Sequence, residues 1–449
     1  MKGNLRILFS IALALVVLET AAEERKELRM REFDPIDVGA EVHGSGWESL
    51  AGRFVRLEDS AEGLVRKPVW DLSRNSAGLS LVFRSNTRRL ELSFDVFGWK
   101  GMNHMPATGV SGVDLFAYKP DGEELWCAAK FMPQFKEEYI EVPATGSQTA
   151  TAQTSSTPSS AQPSSDPSSA QTTTAQTSSD PSSTPSSTPS STPSSAQTSS
   201  AQSRTVRVTR VAYSFEQIDY EEGCEEYEWH LYLPLYNTVE NFRMAVEEGC
   251  RLEWVPRDER QPIVVYGTSI AQGACATRPG MAWTNLVERE LRYPVVNLGF
   301  SGNGKLEAEL FALLDQIDAG VYIIDCLPNI KVTDNFEEKL EAGIKLLREH
   351  HSCPILVVDH SGHTNDRTNL SRCFPDELNR RQAALVKRLR KEGIKQLYYL
   401  TRNEIAWDKD SMVEGIHPND RGMMQQAEAV CGKLRQIDRR CRELNLKSR

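Results

Sequence analysis

An all-β sandwich followed by a three-layer, doubly wound α/β domain is the fold class this sequence predicts, on three observations. Up to about residue 255, short runs alternate apolar and polar residues with a period of two, as half-buried strands do. Beyond that point, five near-continuous apolar runs are separated by segments of helical period, the pattern of a parallel sheet covered on both faces. A chain of 449 residues, 39% of them hydrophobic, suffices for two cores. The boundaries read from these patterns are a leader at 1–22, a β-domain at 23–255 interrupted at 145–203, and an α/β domain at 256–449.

The leader comes first. Met1-Lys2 and Arg6 precede the apolar run Ile7 to Leu18, and Thr20-Ala21-Ala22 leads into the charged Glu23-Glu24-Arg25-Lys26. That is the pattern of a secretory signal peptide with cleavage after Ala22, and it predicts export to a periplasmic or extracellular space. The apolar run is short for a membrane span, although an uncleaved anchor helix is the alternative. No cysteine follows the run, which argues against a bacterial lipoprotein anchor, and no later stretch is apolar enough to cross a membrane. Once the leader is cleaved, no stable membrane insertion is expected.

In the β-domain, Leu79 to Phe83, Leu90 to Val96 and Trp229 to Leu233 alternate, with turn residues such as Lys119-Pro120-Asp121-Gly122 between strands. From about Thr145 to Ser203 the chain is Ser, Thr, Pro, Gln and Ala, with Asp166 and Asp180 its charged residues. With no large apolar side chain, nothing there offsets the entropy of ordering, so a disordered and extended loop is expected, open to O-glycosylation. Tyr139 to Val142 before it and Thr205 to Val211 after it both alternate, which favours an insertion in a hairpin over an interdomain linker. In the α/β domain the expected strands are Ile263–Tyr266, Val295–Leu298, Val321–Asp325, Ile355–Val358 and Leu397–Leu400. Helical faces are formed by Trp283, Leu286, Val287 and Leu291, by Phe336, Leu340, Ile344 and Leu347, and by Leu378, Leu385 and Leu389. Asp334 and Glu337 are the expected capping pair of the second helix, and Gly393 the stop of the third.

A net charge of −10 gives no reason to expect nucleic acid or an anionic membrane surface as partner. The nine cysteines leave pairing open, Cys224 with Cys250 or Cys431 with Cys441 being two of the options, while Cys326 sits in a strand where a buried free thiol is expected. No C-x-x-C spacing suggests a zinc ribbon or a thioredoxin-type site.

The chemistry-bearing residues cluster after strands. Ser269 follows the first expected strand of the α/β domain, and Glu414-Gly415-Ile416-His417 lies far downstream. A serine hydroxyl needs a base within hydrogen-bond reach and the base needs an orienting partner; an acid-x-x-His loop supplies both. Gly302 follows the second strand and Asn329 the third. A backbone N–H at such a glycine and an Asn amide can hold a developing oxyanion together with the N–H of Ser269. Each piece alone is equally a turn, a cap or a loop residue. Their convergence on the carboxyl rim of one sheet, where ligands of such sheets bind, is the stronger signal. Ala271 stands where a G-x-S-x-G elbow has its second glycine, which argues against an ordinary α/β-hydrolase.

In this order Ser269, Gly302, Asn329 and Glu414/His417 resemble the SGNH (GDSL-type) hydrolases. Thr268 departs from the family's Asp, and Glu414 from its usual Asp. A second resemblance starts from Gly112-Val113-Asp114-Leu115-Phe116, preceded by His104-Met105-Pro106, and is to the GxDLY-type N-terminal domain of one SGNH branch; Phe116 replaces the usual Tyr. Leu231 to Asn237 and Asp325 to Asn329 match the same branch. The resemblance implies a serine esterase with the triad Ser269, His417, Glu414 and the oxyanion donors Ser269, Gly302 and Asn329, without a cofactor. It further implies kinship to carbohydrate esterases that remove acetyl groups, so the expected substrate is a small-molecule or glycan ester. Arg278 is weighed as a pocket residue against a structural ion pair, and His360 as substrate-facing. A metal at His360 and His363 is the disfavoured alternative. The competing function, motivated by Thr268 and Glu414, is a glycan-binding protein with a vestigial hydrolase domain.

Overall fold

A computed structural model describes residues 29–143, 203–221, 224–362 and 373–441. The leader at 1–22, nearly all of the low-complexity insertion, and His363 lie outside the described residues. The chain forms two compact units, one of residues 1–138 with 207–449 and one of residues 139–206; the first holds all that concerns the site.

The N-terminal half is a sandwich of two antiparallel sheets. One runs in the order Met30–Phe33, Thr238–Glu247, Arg89–Phe97, Ser203–Glu216, Gln134–Pro143. The other runs Leu252–Trp254, Ser80–Ser85, Tyr227–Tyr232, Asp114–Tyr118, Glu124–Cys127. The strands that bracket the insertion are thus neighbours at one sheet edge, the arrangement their alternation predicts. The inward positions of both sheets meet in one core of Leu81, Phe83, Leu92, Phe94, Leu115, Trp229, Leu231 and Phe242, in which the Phe94 and Phe242 rings stack with centroids 5.5 Å apart.

The C-terminal half is a five-stranded parallel sheet ordered Val295–Gly299, Ile263–Gly267, Val321–Asp325, Ile355–Val358, Leu397–Leu400. Its residues are apolar at successive positions because both faces are covered. Val264 and Tyr266 enter one helical layer with Leu340, Ile344 and Leu385; Ile263 and Val265 enter the other with Trp283, Val430 and Leu434. Strand order reverses at Ile263–Gly267, so its carboxyl end is a switch point where the rim opens.

Some local expectations are corrected. The helix Phe336–His350 has Asn335 at its N-cap and no side-chain cap bond. Glu337 is instead drawn into a bidentate pair with Arg381 at 2.6 Å, and Asp334 accepts from the Lys331 N–H at 2.9 Å. An ion pair with two charge-assisted bonds outcompetes a capping box. At the end of this helix His350 and His351 turn to Asp315: Nδ1 of His350 lies 2.6 Å from its carboxylate and Nε2 of His351 2.9 Å from its carbonyl. Cys224 and Cys250 carry free thiols. Gly393 does end the helix Cys373–Lys391, at φ +98°.

The N-terminal half is also not wholly β. Residues 45–73 leave the sandwich, form the short helix Lys67–Ser73, and bury Trp47, Leu50, Leu57, Val69 and Trp70 in the core of the parallel sheet.

Candidate active site

The strand Ile263–Gly267 delivers Thr268 and then the short helix Ser269–Gln272. Gly267 has no room for a side chain: a Cβ there would stand 2.5 Å from that of Ala271, so the helix can fold back tightly over the strand end. Thr268 is fully buried and extended, and its hydroxyl accepts from the Ile270 N–H at 3.4 Å. A hydroxyl can cap this turn as a carboxylate would, which gives the Thr-for-Asp departure a local role. Ser269 is nearly buried, and its Oγ lies 2.9 Å from His417 Nε2.

His417 sits in a loop folded on itself. The Asn419 N–H donates to the Ser411 carbonyl at 2.9 Å, the Val413 N–H to the His417 carbonyl at 3.0 Å, and Gly415 takes φ +91° at the bend. This closure brings Glu414 under the imidazole. Glu414 Oε1 accepts from the His417 backbone N–H at 3.1 Å and is hydrogen-bonded to Nδ1. Burial raises the Glu414 pKa, but the hydrogen bonds and charge of His417 outweigh it and hold the carboxyl below its ordinary range. Other acids near this loop are engaged elsewhere: Asp408 pairs with Arg421 at 2.6 Å, Asp410 with Lys409 at 2.8 Å, and Asp420 accepts from the Thr277 N–H at 2.9 Å and its hydroxyl at 2.6 Å.

Gly302 follows the neighbouring strand at φ +68°, with nothing within 4 Å of where a Cβ would stand. The backbone there takes the left-handed conformation that favours glycine, and the space above stays open. The amide oxygen of Asn329 accepts from the backbone N–H groups of Asn303 at 3.0 Å and Gly304 at 3.1 Å, which leaves its N–H bonds for another acceptor. Two buried amides lock these pieces together. Gln272 accepts from the Ser301 N–H at 3.0 Å and donates to the Leu235 carbonyl at 3.1 Å. Asn297 donates to the Ala271 carbonyl at 2.8 Å and accepts from the Gly299 N–H at 2.9 Å. The serine turn and the Gly302 loop are therefore tied to each other by direct hydrogen bonds.

The β-domain reaches this rim in three places. The buried Arg56 donates to the carbonyls of Asn75 (2.9 Å), Leu72 (2.6 Å), Asn297 (3.2 Å) and Gly299 (2.6 Å), joining residues 45–75 to the strand that leads into Gly302. Asp114 accepts from the Gly280 N–H at 3.0 Å, from Trp126 Nε1 at 2.7 Å and from Arg278. Burial raises the Asp114 pKa, while the Arg278 charge opposes that rise. Third, the loop between Arg89–Phe97 and Ala107–Val110 lays His104 on His417, ring centroids 5.5 Å apart and planes at 28°.

Ser269, His417 and Glu414 are thus in one hydrogen-bonded line, with Gly302 and Asn329 on the same rim. Arg278 is held by Asp114, with its guanidinium 4.4 Å from the Trp126 ring centre. His360 is buried at the end of Ile355–Val358, its Nδ1 accepting from the Gly362 N–H at 3.0 Å. His104 carried no role in the sequence reading. The signal was present in His104-Met105-Pro106, but its partner lies in the C-terminal loop, in the other half of the chain.

Residues 260–435 match the GDSL-like lipase/acylhydrolase family, and residues 31–155 match the N-terminal domain of SGNH-hydrolase-type esterases. The chain is an SGNH-type esterase. Among solved structures it is similar to a GDSL-like lipase-type protein from Bacteroides ovatus, with 23% identity, TM-score 0.66, and 92% of this chain and 98% of that one covered. A salicylyl-acyltransferase from a tetracycline biosynthetic pathway follows at 14% identity and TM-score 0.55, with 91% and 97% covered. At these identities the likeness is one of fold, and it spans both halves. No curated protein matches the chain.

Proposed function

We propose that the esterase works by acyl transfer through Ser269 and removes acetyl groups from a carbohydrate outside the cytoplasm. The observation that carries the mechanism is the line Ser269 Oγ to His417 Nε2 at 2.9 Å with Glu414 on Nδ1. His417 takes the Ser269 proton as Oγ attacks the ester carbonyl. The N–H groups of Ser269 and Gly302 and the Asn329 amide receive the oxyanion. His417 passes the proton to the departing alcohol, then activates the water that releases the acid, and Glu414 stabilises the imidazolium in both steps.

A small acyl group on a polar alcohol is supported by the surroundings. Beside Gly302, Asn303 is hydrogen-bonded to Arg66 at 2.8 Å, and Arg66 also bonds Glu307 at 2.9 Å, a polar border suited to hydroxyl groups. The exposed apolar side chains of the His417 loop are Val413 and Ile416, a short surface for a fatty chain. The signal-type leader supports an exported enzyme away from acyl-CoA. The test pairs Ser269→Ala with a panel of acetylated polysaccharides. Acetate release by the wild type, lost in the variant, and fluorophosphonate labelling of Ser269 alone are expected. A Ser269→Ala protein with near wild-type turnover would end the serine mechanism; hydrolysis of chromogenic acetate without acetate release from any glycan would end the carbohydrate assignment.

A further inference from the structure

His104, Cys275 and His417 form a cluster that the acyl-transfer chemistry does not use as a unit. One ligand atom of each, an imidazole nitrogen or the thiol sulfur, lies within 4.8 Å of the others. The three come from different places. His104 belongs to the β-domain loop pinned by the mutual Met102 and Met105 backbone bonds of 2.9 and 3.0 Å. Cys275 follows the serine helix at φ +69°, and its thiol donates to the His104 carbonyl at 3.3 Å. His417 carries Glu414 on one nitrogen and Ser269 on the other. Among the described residues no hydrogen bond engages the ring nitrogens of His104, so its lone pair is uncommitted.

Two imidazoles and a thiol are the donor set of a soft or borderline divalent ion, not of magnesium or calcium. Zinc bonds nitrogen at about 2.0–2.1 Å and sulfur at about 2.3 Å in a tetrahedron. The edges of such a tetrahedron are about 3.3–3.7 Å, so the three donors must close by roughly an ångström. The fourth position falls to water or to Ser269. A carboxylate on the far nitrogen of a metal-bound histidine is the usual second partner in zinc sites, and Glu414 already stands there.

We propose that His104, Cys275 and His417 bind Zn(II) and that the ion shuts the esterase off. The assignment rests on His417 being the catalytic base. An ion on Nε2 removes the acceptor of the Ser269 proton; an ion on Nδ1 displaces Glu414. Either way turnover stops. On coordination the Cys275 thiol releases its proton to solvent and its sulfur forms the bond, with no change of oxidation state. The ion is thus an inhibitor that links the β-domain to the catalytic histidine, and a chelator reverses it.

The experiment uses the full chain. Zinc is titrated against chromogenic acetate hydrolysis and, separately, by calorimetry; cobalt is added as a spectroscopic stand-in and magnesium as a control. One equivalent of zinc should bind and inhibit, a chelator should restore activity, and magnesium should do neither. Cobalt should show tetrahedral visible bands together with a thiolate charge-transfer band. Cys275→Ala should keep basal turnover and raise the half-inhibitory zinc concentration by about 100-fold or more, above the roughly 10- to 100-fold that losing an outer-shell partner costs. His104→Gln should lose stoichiometric zinc binding, which keeps the test open if Cys275→Ala folds poorly. Equal zinc inhibition of Cys275→Ala and wild type, or cobalt bands without the thiolate transition, would overturn the site. A wild type that binds one zinc through Cys275 yet hydrolyses no ester would leave the metal site standing and sink the catalytic reading instead.

Discussion

Replacing Glu414 by Gln should slow ester hydrolysis by roughly 30- to 100-fold, whereas His417→Ala should cost about 10⁴-fold or more. The difference follows from what each group does. The amide of the Glu414→Gln variant would keep a carbonyl oxygen to accept from Nδ1 and from the His417 N–H, so the ring stays oriented. What is lost is the negative charge facing an imidazolium that exists only as the reaction proceeds, and such an interaction lowers the barrier rather than the ground state. At about 4 Å two unit charges attract by about 4 kcal/mol at an effective dielectric of 20 and by about 1 kcal/mol in bulk water. The pair is partly exposed, with 33% of the Glu414 side chain and 18% of the His417 side chain accessible, so about 2–3 kcal/mol is the working value. At about 1.4 kcal/mol per tenfold, that is the stated range. The assay is steady-state hydrolysis of a chromogenic acetate ester; kcat should fall with KM nearly constant. A loss equal to that of His417→Ala would show that the carboxylate does more than stabilise charge. A change within twofold would show that its charge is not used.

Asn329→Ala should lower kcat by about 10²–10³-fold with little change in KM, as loss of one oxyanion donor does; an unchanged kcat in steady-state assays would remove Asn329 from that role. Asp325 is buried at the end of the central strand, its Oδ2 accepting from Gln426 at 3.3 Å, and burial pushes its pKa up to about 7. The folded state therefore keeps a proton that the unfolded chain releases near pH 4, so stability falls as pH rises from about 4 to 7. Asp325→Asn escapes that loss and should be more stable by about 2–4 kcal/mol at pH 8 and nearly unchanged at pH 4, measured by urea unfolding; equal stabilities at pH 8 would refute it. Arg56→Met removes a guanidinium with four carbonyl acceptors, each such bond contributing about 1.5–3 kcal/mol, against relief from burying a charge, for a net loss of about 3 kcal/mol. It should also lower kcat through the Gly299 end of the Gly302 loop; an unchanged urea midpoint would show that the carbonyls find other donors.

How much of this was legible depends on the range over which each residue acts. The parallel strands were readable because burial on both faces leaves a continuous apolar run, as at residues 321–324. Within the candidate site, the shared position of Ser269, Gly302 and Asn329 was readable because the carboxyl ends of parallel strands point one way, so residues after three strands must share a rim. Residues 45–73 were not readable. Trp47, Leu50, Leu57, Val69 and Trp70 show no sustained period, since the helical pieces that carry some of them are only a turn or two long and they pack into the core of the parallel sheet. The Asp334/Glu337 cap failed for a related reason, in that Arg381, the residue that redirects Glu337, arrives from a separate helix. His104 needed the same long-range knowledge.

Residues 45–73 and His104 have one thing in common: each meets the other half of the chain. Gly109 and Gly280 mark how close that contact is. A Cβ on Gly109 would lie 2.2 Å from the Ala276 carbonyl oxygen, and one on Gly280 would lie 2.4 Å from the Phe116 ring. Backbone approaches this tight lock the position of the segment 276–281, which begins directly after Cys275, while Arg56 holds the strand end before Gly302. The β-domain thus grips the rim of the candidate site on both sides of Ser269. A rim built from loops alone would leave the serine turn and the oxyanion loop free to drift by the ångström that a hydrogen-bonded catalytic line does not tolerate. The sandwich is therefore a structural part of the candidate active site, and its removal should disable the parallel-sheet domain even though every proposed catalytic side chain lies after residue 256.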